Sequence, residues 1–265
     1  MTDSKGMLTV IATILKQAGK NIVMPAFHAC IHASIKTDGS IVTETDLSCQ
    51  CFIQSKLAKL DASIPFLGEE MSEAEQMACL QQSQGRYWCL DPLDGTSNFA
   101  AHFPVFSISL ALIEQGIVQL ACIYDPVRDE LFTAVAQHGA RLNGTLISAS
   151  SGKHIHDAVG LVDFKRLAPG LATKLLLHPC YRSQRNIGSC ALEWAWLAAG
   201  RGQFIIHGSE KLWDFAAGSL IASEAGCVVG DFNSAPLFPA STLSCSVLAA
   251  SDPVIHASLK LQLDV

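Results

Sequence analysis

Two stretches near the start of the chain carry apolar residues at helical spacing. Residues 7–27 place two lysines opposite the apolar positions, which predicts an amphipathic helix packed on a core. Residues 47–61 predict a second helix, with Asp46 as its N-cap. Between these helices, residues 36–46 predict a turn, a short strand and a polar stop.

Short apolar runs that end in acidic residues predict strands at 64–70 and 86–95. The longer stretch 106–147 is rich in strand-forming residues, and turn residues interrupt it at regular intervals. This rhythm is typical of an antiparallel meander, so we expect an antiparallel sheet in the first half of the chain.

The pattern changes after the small, polar segment 148–155. Apolar runs of strand length then alternate with runs at helical spacing, which favours an α/β arrangement. Strands are predicted at 158–164, 181–189, 203–207 and 227–232, and helices at 166–178, 190–202 and 213–226. We therefore expect a mixed α/β (α+β) protein with two halves, residues 1–147 and residues 148–265.

Composition adds that the chain can fold around a large core. It has 265 residues, of which 49% are hydrophobic and 16% are charged, so disorder is not expected. The formal net charge is −6 and no run of Lys or Arg stands out, so a nucleic-acid surface is not expected. The start of the chain lacks signal-peptide architecture and no apolar run approaches roughly 18 residues, which predicts a cytoplasmic protein outside the membrane. Its ten cysteines are expected to be free thiols.

Acidic residues collect where predicted strands end and a helix begins. Glu69 and Glu70 follow one strand, Asp91 and Asp94 end the next, and Asp214 opens a helix. Carboxylates that meet in one site repel each other unless cations hold them. Mg²⁺ prefers such oxygen ligands together with water and phosphate. The sequence thus predicts a magnesium site, which would help an acidic protein to bind an anionic substrate.

The segment DPLDGT, which begins at Asp91, supplies several groups of such a site. Its two aspartates can point into one pocket, with the carbonyl of Leu93 between them as a third oxygen ligand. Gly95 permits backbone geometry that other residues resist, and the helical turn after it directs free N–H groups to the same pocket. We therefore predict metal ligands, the hydroxyl of Thr96 and an anion cradle in one segment.

Four motifs carry a family resemblance. The stretches WCLDPLDGTSNF (88–99) and LWDFAAGSLIASEAGCVV (212–229) resemble the two signatures of the inositol monophosphatase family, and FLGEE and VTETD resemble its accessory motifs. The likeness covers most of the chain. It implies a Mg²⁺-dependent, lithium-sensitive phosphatase that forms a homodimer. The implied fold is the layered α-β-α-β-α sandwich of the inositol monophosphatase and fructose-1,6-bisphosphatase type.

The resemblance also implies a ligand set for two Mg²⁺ ions and a weaker third. The first ion would be held by Glu69, Asp91 and the carbonyl of Leu93. The second would be held by Asp91, Asp94 and Asp214, so that Asp91 bridges the two ions. The third would depend on Glu69 and water molecules.

Catalytic and supporting roles follow from the same resemblance. Thr96, assisted by Asp46, would orient the attacking water, with Glu69 as part of the catalytic set. The N–H groups of Gly95 and Thr96 would complete an oxyanion clamp. Glu70 would support the metal ligands without binding a metal directly.

The positions around the substrate depart from the animal inositol phosphatases of the family. His207 stands where those enzymes carry a glutamate that holds ring hydroxyls, and Glu210 is a nearby candidate to replace it. Ser189 and Cys190 match the small-residue turn beside the substrate, and Lys36 matches a basic position near the active site. The predicted substrate contacts are Gly95, Thr96, Ser189, Cys190, His207 and Asp214.

The function predicted from these residues is hydrolysis of a small phosphate monoester by a metal-activated water. Inositol monophosphate or a related polyol or sugar monophosphate is the expected substrate. Two alternatives stay open: a broad-specificity bacterial phosphatase, acting on a sugar bisphosphate, histidinol phosphate or a nucleotide 3′-phosphate, and a family member with an added protein-binding role in transcription.

Overall fold

A computed structural model of the chain describes residues 4–29, 33–35, 41–83, 85–152 and 154–263. Within these residues the chain forms several helices. They are α1 (Ser4–Ala18), α2 (Met24–Phe27), α3 (Glu44–Leu60), α4 (Glu73–Gln82), α5 (Thr96–Ala100), α6 (Pro169–Leu177), α7 (Cys190–Ala198), α8 (Leu212–Glu224) and α9 (Pro253–Leu263). A π-helical turn, Gly19–Val23, joins α1 to α2, so the predicted N-terminal helix is one continuous helical segment.

The first large sheet follows the order of the chain. A separate short pair, β1 (Ala33–Ile35) and β2 (Ile41–Thr43), is antiparallel and precedes it. The sheet contains β3 (Phe66–Gly68), β4 (Tyr87–Asp94), β5 (Ser107–Glu114), β6 (Ile117–Asp125), β7 (Glu130–Val135), β8 (Ala140–Leu142) and β9 (Thr145–Leu146), in that order. β3 and β4 are parallel, and β4 to β9 pair antiparallel, which confirms the predicted meander and adds one parallel pair.

The second large sheet mixes parallel and antiparallel pairs. It contains β10 (Val159–Asp163), β11 (Ser183–Arg185), β12 (Phe204–Lys211), β13 (Val228–Gly230) and β14 (Ser244–Ala250). The spatial order is β11-β10-β12-β14-β13. Because β10 is parallel to both β11 and β12, the carboxyl ends of these strands lie at one edge of the sheet.

Three apolar clusters hold these elements in five layers. Residues of α1 and α3, such as Ile11 and Ile53, pack on one face of the first sheet. Residues of α7 and α8, such as Leu192 and Phe215, fill the space between the two sheets. Leu259 of α9 and its neighbours in α6 cover the outer face of the second sheet. The expected α-β-α-β-α sandwich is therefore the fold of this chain.

Several predicted boundaries were wrong. Helix α3 begins at Glu44 because Thr43, and not Asp46, is its N-cap. Asp46 is instead the third residue of the helix (N3). It completes a capping box, in which its side chain accepts the Thr43 N–H at 2.8 Å. Strand β12 continues to Lys211 across a register shift, well past its predicted end, whereas β11 is shorter than predicted. Helix α4, strand β14 and helix α9 had no predicted counterpart.

The predicted division of the chain into two halves falls in the segment between the two large sheets. The segment around residue 148 lies between β9 and β10, and the boundary between 1–147 and 148–265 stays a prediction. Among the helices of the described residues, none combines the length and the apolar composition needed to cross a membrane.

Candidate active site

A bulge in β4 turns two aspartates to the same side of the sheet. In a regular strand, residues three positions apart point to opposite faces. β4 takes three steps from Asp91 to Asp94 where its partner β5 takes two, from Ser109 to Ser107, and the extra residue shifts the register. One carboxylate oxygen from each aspartate therefore lies within 4.8 Å of the other. This bulge explains the odd spacing in DPLDGT.

Asp214 adds a third carboxylate from the first turn of α8. One of its oxygens lies within 4.8 Å of the chosen oxygens of Asp91 and Asp94. The hydroxyl of Ser109 on β5 donates to the carbonyl of Trp213 at 3.3 Å, which fixes the start of α8 against the first sheet. Two distant parts of the sequence thus meet in one acidic cluster.

The acidic cluster resists ionisation while no cation balances its charge. Burial raises the pKa of Asp91 well above its ordinary value, and the charges of Glu69, Asp94 and Asp214 raise it further. The pKa of Asp214 is also well above its ordinary value, because of burial first and then because of Asp94 and Glu69. A divalent cation would remove this repulsion, and carboxylate oxygens are the ligands that Mg²⁺ prefers. The donor set therefore fits the predicted ion.

Four donors hold the Asp94 carboxylate in place. Ser107 donates its hydroxyl at 3.1 Å, and the N–H groups of Cys190 and Ala191 at the start of α7 donate at 3.0 Å each. The hydroxyl of Ser189 donates as well. Burial still raises the pKa of Asp94, although these hydrogen bonds lower it. Asp94 therefore joins the first sheet to α7 as well as belonging to the acidic cluster.

The hydroxyl of Thr96 lies between Asp46 and the end of β4. Its Oγ1 is 2.9 Å from Asp46 Oδ1 and 3.0 Å from the carbonyl oxygen of Leu93. Gly95 brings the chain to this point with a φ of +91°, and a Cβ there would lie 3.0 Å from the carbonyl oxygen of Gly188. The turn that positions Thr96 therefore requires glycine.

The capping box of α3 fixes the carboxylate of Asp46 beside Thr96. Asp46 is fully buried and accepts both the N–H and the hydroxyl of Thr43 through Oδ2, which leaves Oδ1 for Thr96. Burial raises the pKa of Asp46, although the hydrogen bonds from Thr43 and Thr96 lower it. Asp46 is thus not the N-cap that was predicted, but its position in the first turn of α3 directs its carboxylate toward Thr96.

Two buried glutamines, neither of them predicted, hold the loop that carries Glu69 and Glu70. Gln76 on α4 donates its Nε2 to the carbonyls of Gly68 and Glu69 at 2.9 and 3.0 Å. The N–H of Glu70 donates to Gln50 Oε1 at 3.1 Å. Helical spacing offered one signal, because Gln50 follows Asp46 by one turn of α3 and shares its face. Nothing comparable in the sequence singled out Gln76.

Of the predicted substrate contacts, Ser189 and Cys190 lie at the start of α7 and His207 lies on β12. Cys190 Sγ is 3.9 Å from His207 Nε2, so the two residues are neighbours. Glu210 is only 1% exposed, and its Oε1 accepts the Nε1–H of Trp194 at 2.7 Å. Burial raises the pKa of Glu210 well above its ordinary value. Its carboxyl therefore sits in the core beside the site, and Lys36 lies outside the described residues.

The sequence pattern of the Inositol monophosphatase family matches residues 5–263. The chain belongs to the inositol monophosphatase family. Because the match spans nearly the whole chain, it includes both signatures and both accessory motifs, and the resemblance seen in the sequence is confirmed. The chain is therefore a phosphomonoesterase of this family.

Proteins from bacteria and plants are similar to most of the chain. Nus factor SuhB of Escherichia coli (strain K12) is 31% identical over 261 residues, which are 96% of this chain and 94% of that protein. Inositol monophosphatase 1 of Solanum lycopersicum is 35% identical over 231 residues, 84% of each chain. The solved structure of the Thermotoga maritima IMPase has a TM-score of 0.84 at 28% identity and covers 98% of this chain and 97% of that chain.

Proposed function

We propose that this phosphatase is Mg²⁺-dependent and acts on inositol monophosphate or a related small polyol or sugar monophosphate. The observation that carries the proposal is the buried cluster of Asp91, Asp94 and Asp214 with the pair of Thr96 and Asp46 beside it. The cluster offers the charge that holds cations, and the pair offers a directed hydroxyl.

The proposed metal ligands are those whose carboxylates repel each other here. Glu69, Asp91 and the carbonyl of Leu93 would hold one Mg²⁺, and Asp91, Asp94 and Asp214 would hold another, with Glu69 also serving a weaker third. Asp94 keeps room for a metal, because Oδ2 takes three of its donors whereas Oδ1 takes the Cys190 N–H. Bound Mg²⁺ supplies positive charge to the phosphoryl oxygens and lowers the pKa of bound water.

Thr96 is proposed to orient the attacking water. When its hydroxyl donates to Asp46 at 2.9 Å, its oxygen keeps lone pairs that can accept a hydrogen bond from that water. Gly95 and Thr96 stay the predicted backbone donors to the phosphate, and Glu70 stays a predicted supporting residue. The homodimer and the cytoplasmic location also stay predictions.

Phosphate release from inositol 1-phosphate, with and without Mg²⁺, tests the proposal. Turnover should require the ion, and Asp91→Asn should lower kcat/KM about a thousandfold or more, because one charge serves two cations. Thermal melting of the variant controls for folding. A folded Asp91→Asn enzyme with near-normal turnover would contradict the two-metal assignment. Turnover of sugar bisphosphates, histidinol phosphate and nucleotide 3′-phosphates is measured in the same assay. A kcat/KM for any of these similar to that for inositol 1-phosphate would favour the broad-specificity alternative.

A binding role in transcription is a second candidate, and the similarity to Nus factor SuhB favours it. The two roles separate in cells that carry Asp91→Asn in place of the wild-type chain. If a phenotype of deletion is rescued by this variant, the role behind that phenotype does not need catalysis. If the variant behaves like the deletion while remaining folded, the phosphatase activity accounts for it.

A further inference from the structure

Asp163 lies opposite His207 at the edge of the second sheet that faces the acidic cluster. The parallel register of β10 and β12 pairs these two residues at the carboxyl ends of their strands. His207 Nε2 is 3.4 Å from Asp163 Oδ2. The carboxylate of Asp163 therefore lies next to the imidazole, and no prediction from the sequence included it.

The hydrogen bonds of His207 decide what its ring can offer to a substrate. Its Nδ1 accepts the N–H of Ser209 at 3.3 Å, so the network assigns the proton of the neutral ring to Nε2. That N–H faces Asp163. The ring is then a donor only, and it cannot accept a substrate hydroxyl as a carboxylate at position 207 would.

Asp163 has the acceptor capacity that His207 lacks. Its Oδ1 accepts the N–H of Lys165 at 2.9 Å and its Oδ2 faces His207, so the carboxylate is held from both sides. A carboxylate has about four acceptor positions, and two remain for other donors. Partial burial opposes its ionisation, but the hydrogen bonds from His207 and from the Lys165 N–H, together with the charge of Arg166, keep the pKa of Asp163 below its usual value. The side chain is 16% exposed, so solvent and ligands reach it.

A chain of polar groups connects the acidic cluster to Asp163. The N–H of Cys190 donates to Asp94, Cys190 Sγ is 3.9 Å from His207 Nε2, and His207 faces Asp163. A phosphate held at the acidic cluster would direct its alcohol part along such a wall. Two other carboxyls of this region are more deeply buried than Asp163. Glu210 is 1% exposed and accepts from Trp194 through Oε1, although its Oε2 has no hydrogen-bond partner among the described residues, and Glu193 is 5% exposed and accepts from Ile187.

We propose that Asp163, held by His207 and the Lys165 N–H, accepts the hydroxyl groups of the substrate and so selects polyol monophosphates. This inference rests on the phosphatase function proposed above. It assigns to Asp163 the acceptor role that a glutamate at position 207 would have, with His207 as a positioning residue. Monophosphates whose alcohol part carries no hydroxyl gain nothing from this carboxylate.

The test compares inositol 1-phosphate with phenyl phosphate in the full-length, Mg²⁺-supplied enzyme. Asp163→Asn should lower the ratio of their kcat/KM values about ten- to a hundredfold, since charge-assisted hydrogen bonds to the hydroxyls are lost. The loss should fall mainly on KM for inositol 1-phosphate. Asp157→Asn is the matched control, because Asp157 precedes the opposite end of β10 and is an exposed partner of Arg182. It should leave the ratio within twofold.

Failure of the inference and failure of the phosphatase function look different. An unchanged ratio in Asp163→Asn, with active wild-type enzyme, overturns the role of Asp163, and so does an equal loss on both substrates. A wild-type chain that is inactive on both substrates overturns the proposed function itself. If Asp163→Asn melts early, Asp163→Ser keeps an acceptor for the Lys165 N–H and removes the charge, and the same change in ratio is expected.

Discussion

Glu193 is a buried acid near the site whose proton links folding to pH. It is 5% exposed, and its Oε1 accepts the N–H of Ile187 at 2.9 Å. Burial raises its pKa to about 8, with smaller contributions from Asp94 and Asp163. In an unfolded chain a glutamate titrates near ~4.3. Between these two values the folded state binds more protons than the unfolded state, so this residue makes stability fall as the pH rises.

Glu193→Gln should remove that pH dependence, because glutamine keeps the acceptor oxygen and cannot ionise. We expect the free energy of unfolding of the variant to exceed that of the wild type by about 1 kcal/mol at pH 5 and by about 2–5 kcal/mol at pH 8. Urea unfolding at both pH values, in a chelator so that no metal contributes, measures this. A difference that is the same at both pH values would contradict the assignment.

Thr96 offers a test of hydroxyl chemistry at a single atom. Thr96→Val removes the group that lies 2.9 Å from Asp46 Oδ1, whereas Thr96→Ser keeps it. We expect kcat to fall about a hundredfold or more in the valine variant, with KM changed only a few-fold, because an orienting group is lost. The serine variant should keep most of the activity. Equal kcat values in the two variants would show that the hydroxyl has no such role.

At the scale of elements, α4 supports the proposed metal site through one glutamine. Gln76→Leu should destabilise the protein by about 1–3 kcal/mol, since the carbonyls of Gly68 and Glu69 lose their shared donor. It should also raise the Mg²⁺ concentration needed for half-maximal activity, because the Glu69 loop loosens. Gln81→Leu on the exposed side of the same helix is the control. Activity at saturating Mg²⁺ should recover, and a Mg²⁺ requirement equal to that of the control would refute the link.

The features that could be predicted from the sequence are those with a regular hydrophobic period or a motif of acidic residues. The meander and the alternating second half follow from local periodicity, and the acids of DPLDGT follow from their place after a buried strand. The bulge that aligns Asp91 with Asp94 was not predictable, because it depends on the register with β5. Gln50 and Gln76 were missed because a polar residue on a helix usually faces water, and only packing shows that these two are buried.

At the scale of the whole molecule, Asn98 ties the first half of the chain to the second. Its Nδ2 donates to the carbonyls of Val105 and Ile187 at 2.7 Å each. Asn98→Ala should lower the free energy of unfolding by about 1–3 kcal/mol. It should also lower kcat/KM, because the segment after Ile187 supplies three donors to Asp94. Asn21→Ala, at an exposed position, is the control for both measurements. Unchanged kcat/KM would show that the tie is only structural.

The donors around Asp94 bear on how evolution could dismantle this enzyme. A descendant that kept only a binding role would still need Asp94, because its loss strands the hydroxyl of Ser107 and the N–H groups of Cys190 and Ala191 in the interior. Asp91 accepts from the Leu93 N–H and shares a hydrogen bond with Asp214, but the charges of Glu69, Asp94 and Asp214 repel its carboxylate in the fold without metal. Drift would therefore reach Asp91 first. In a relative that has lost catalysis, the counterpart of Asp91 is therefore the residue to compare first. A retained counterpart of Asp94 does not show whether that relative is still an enzyme.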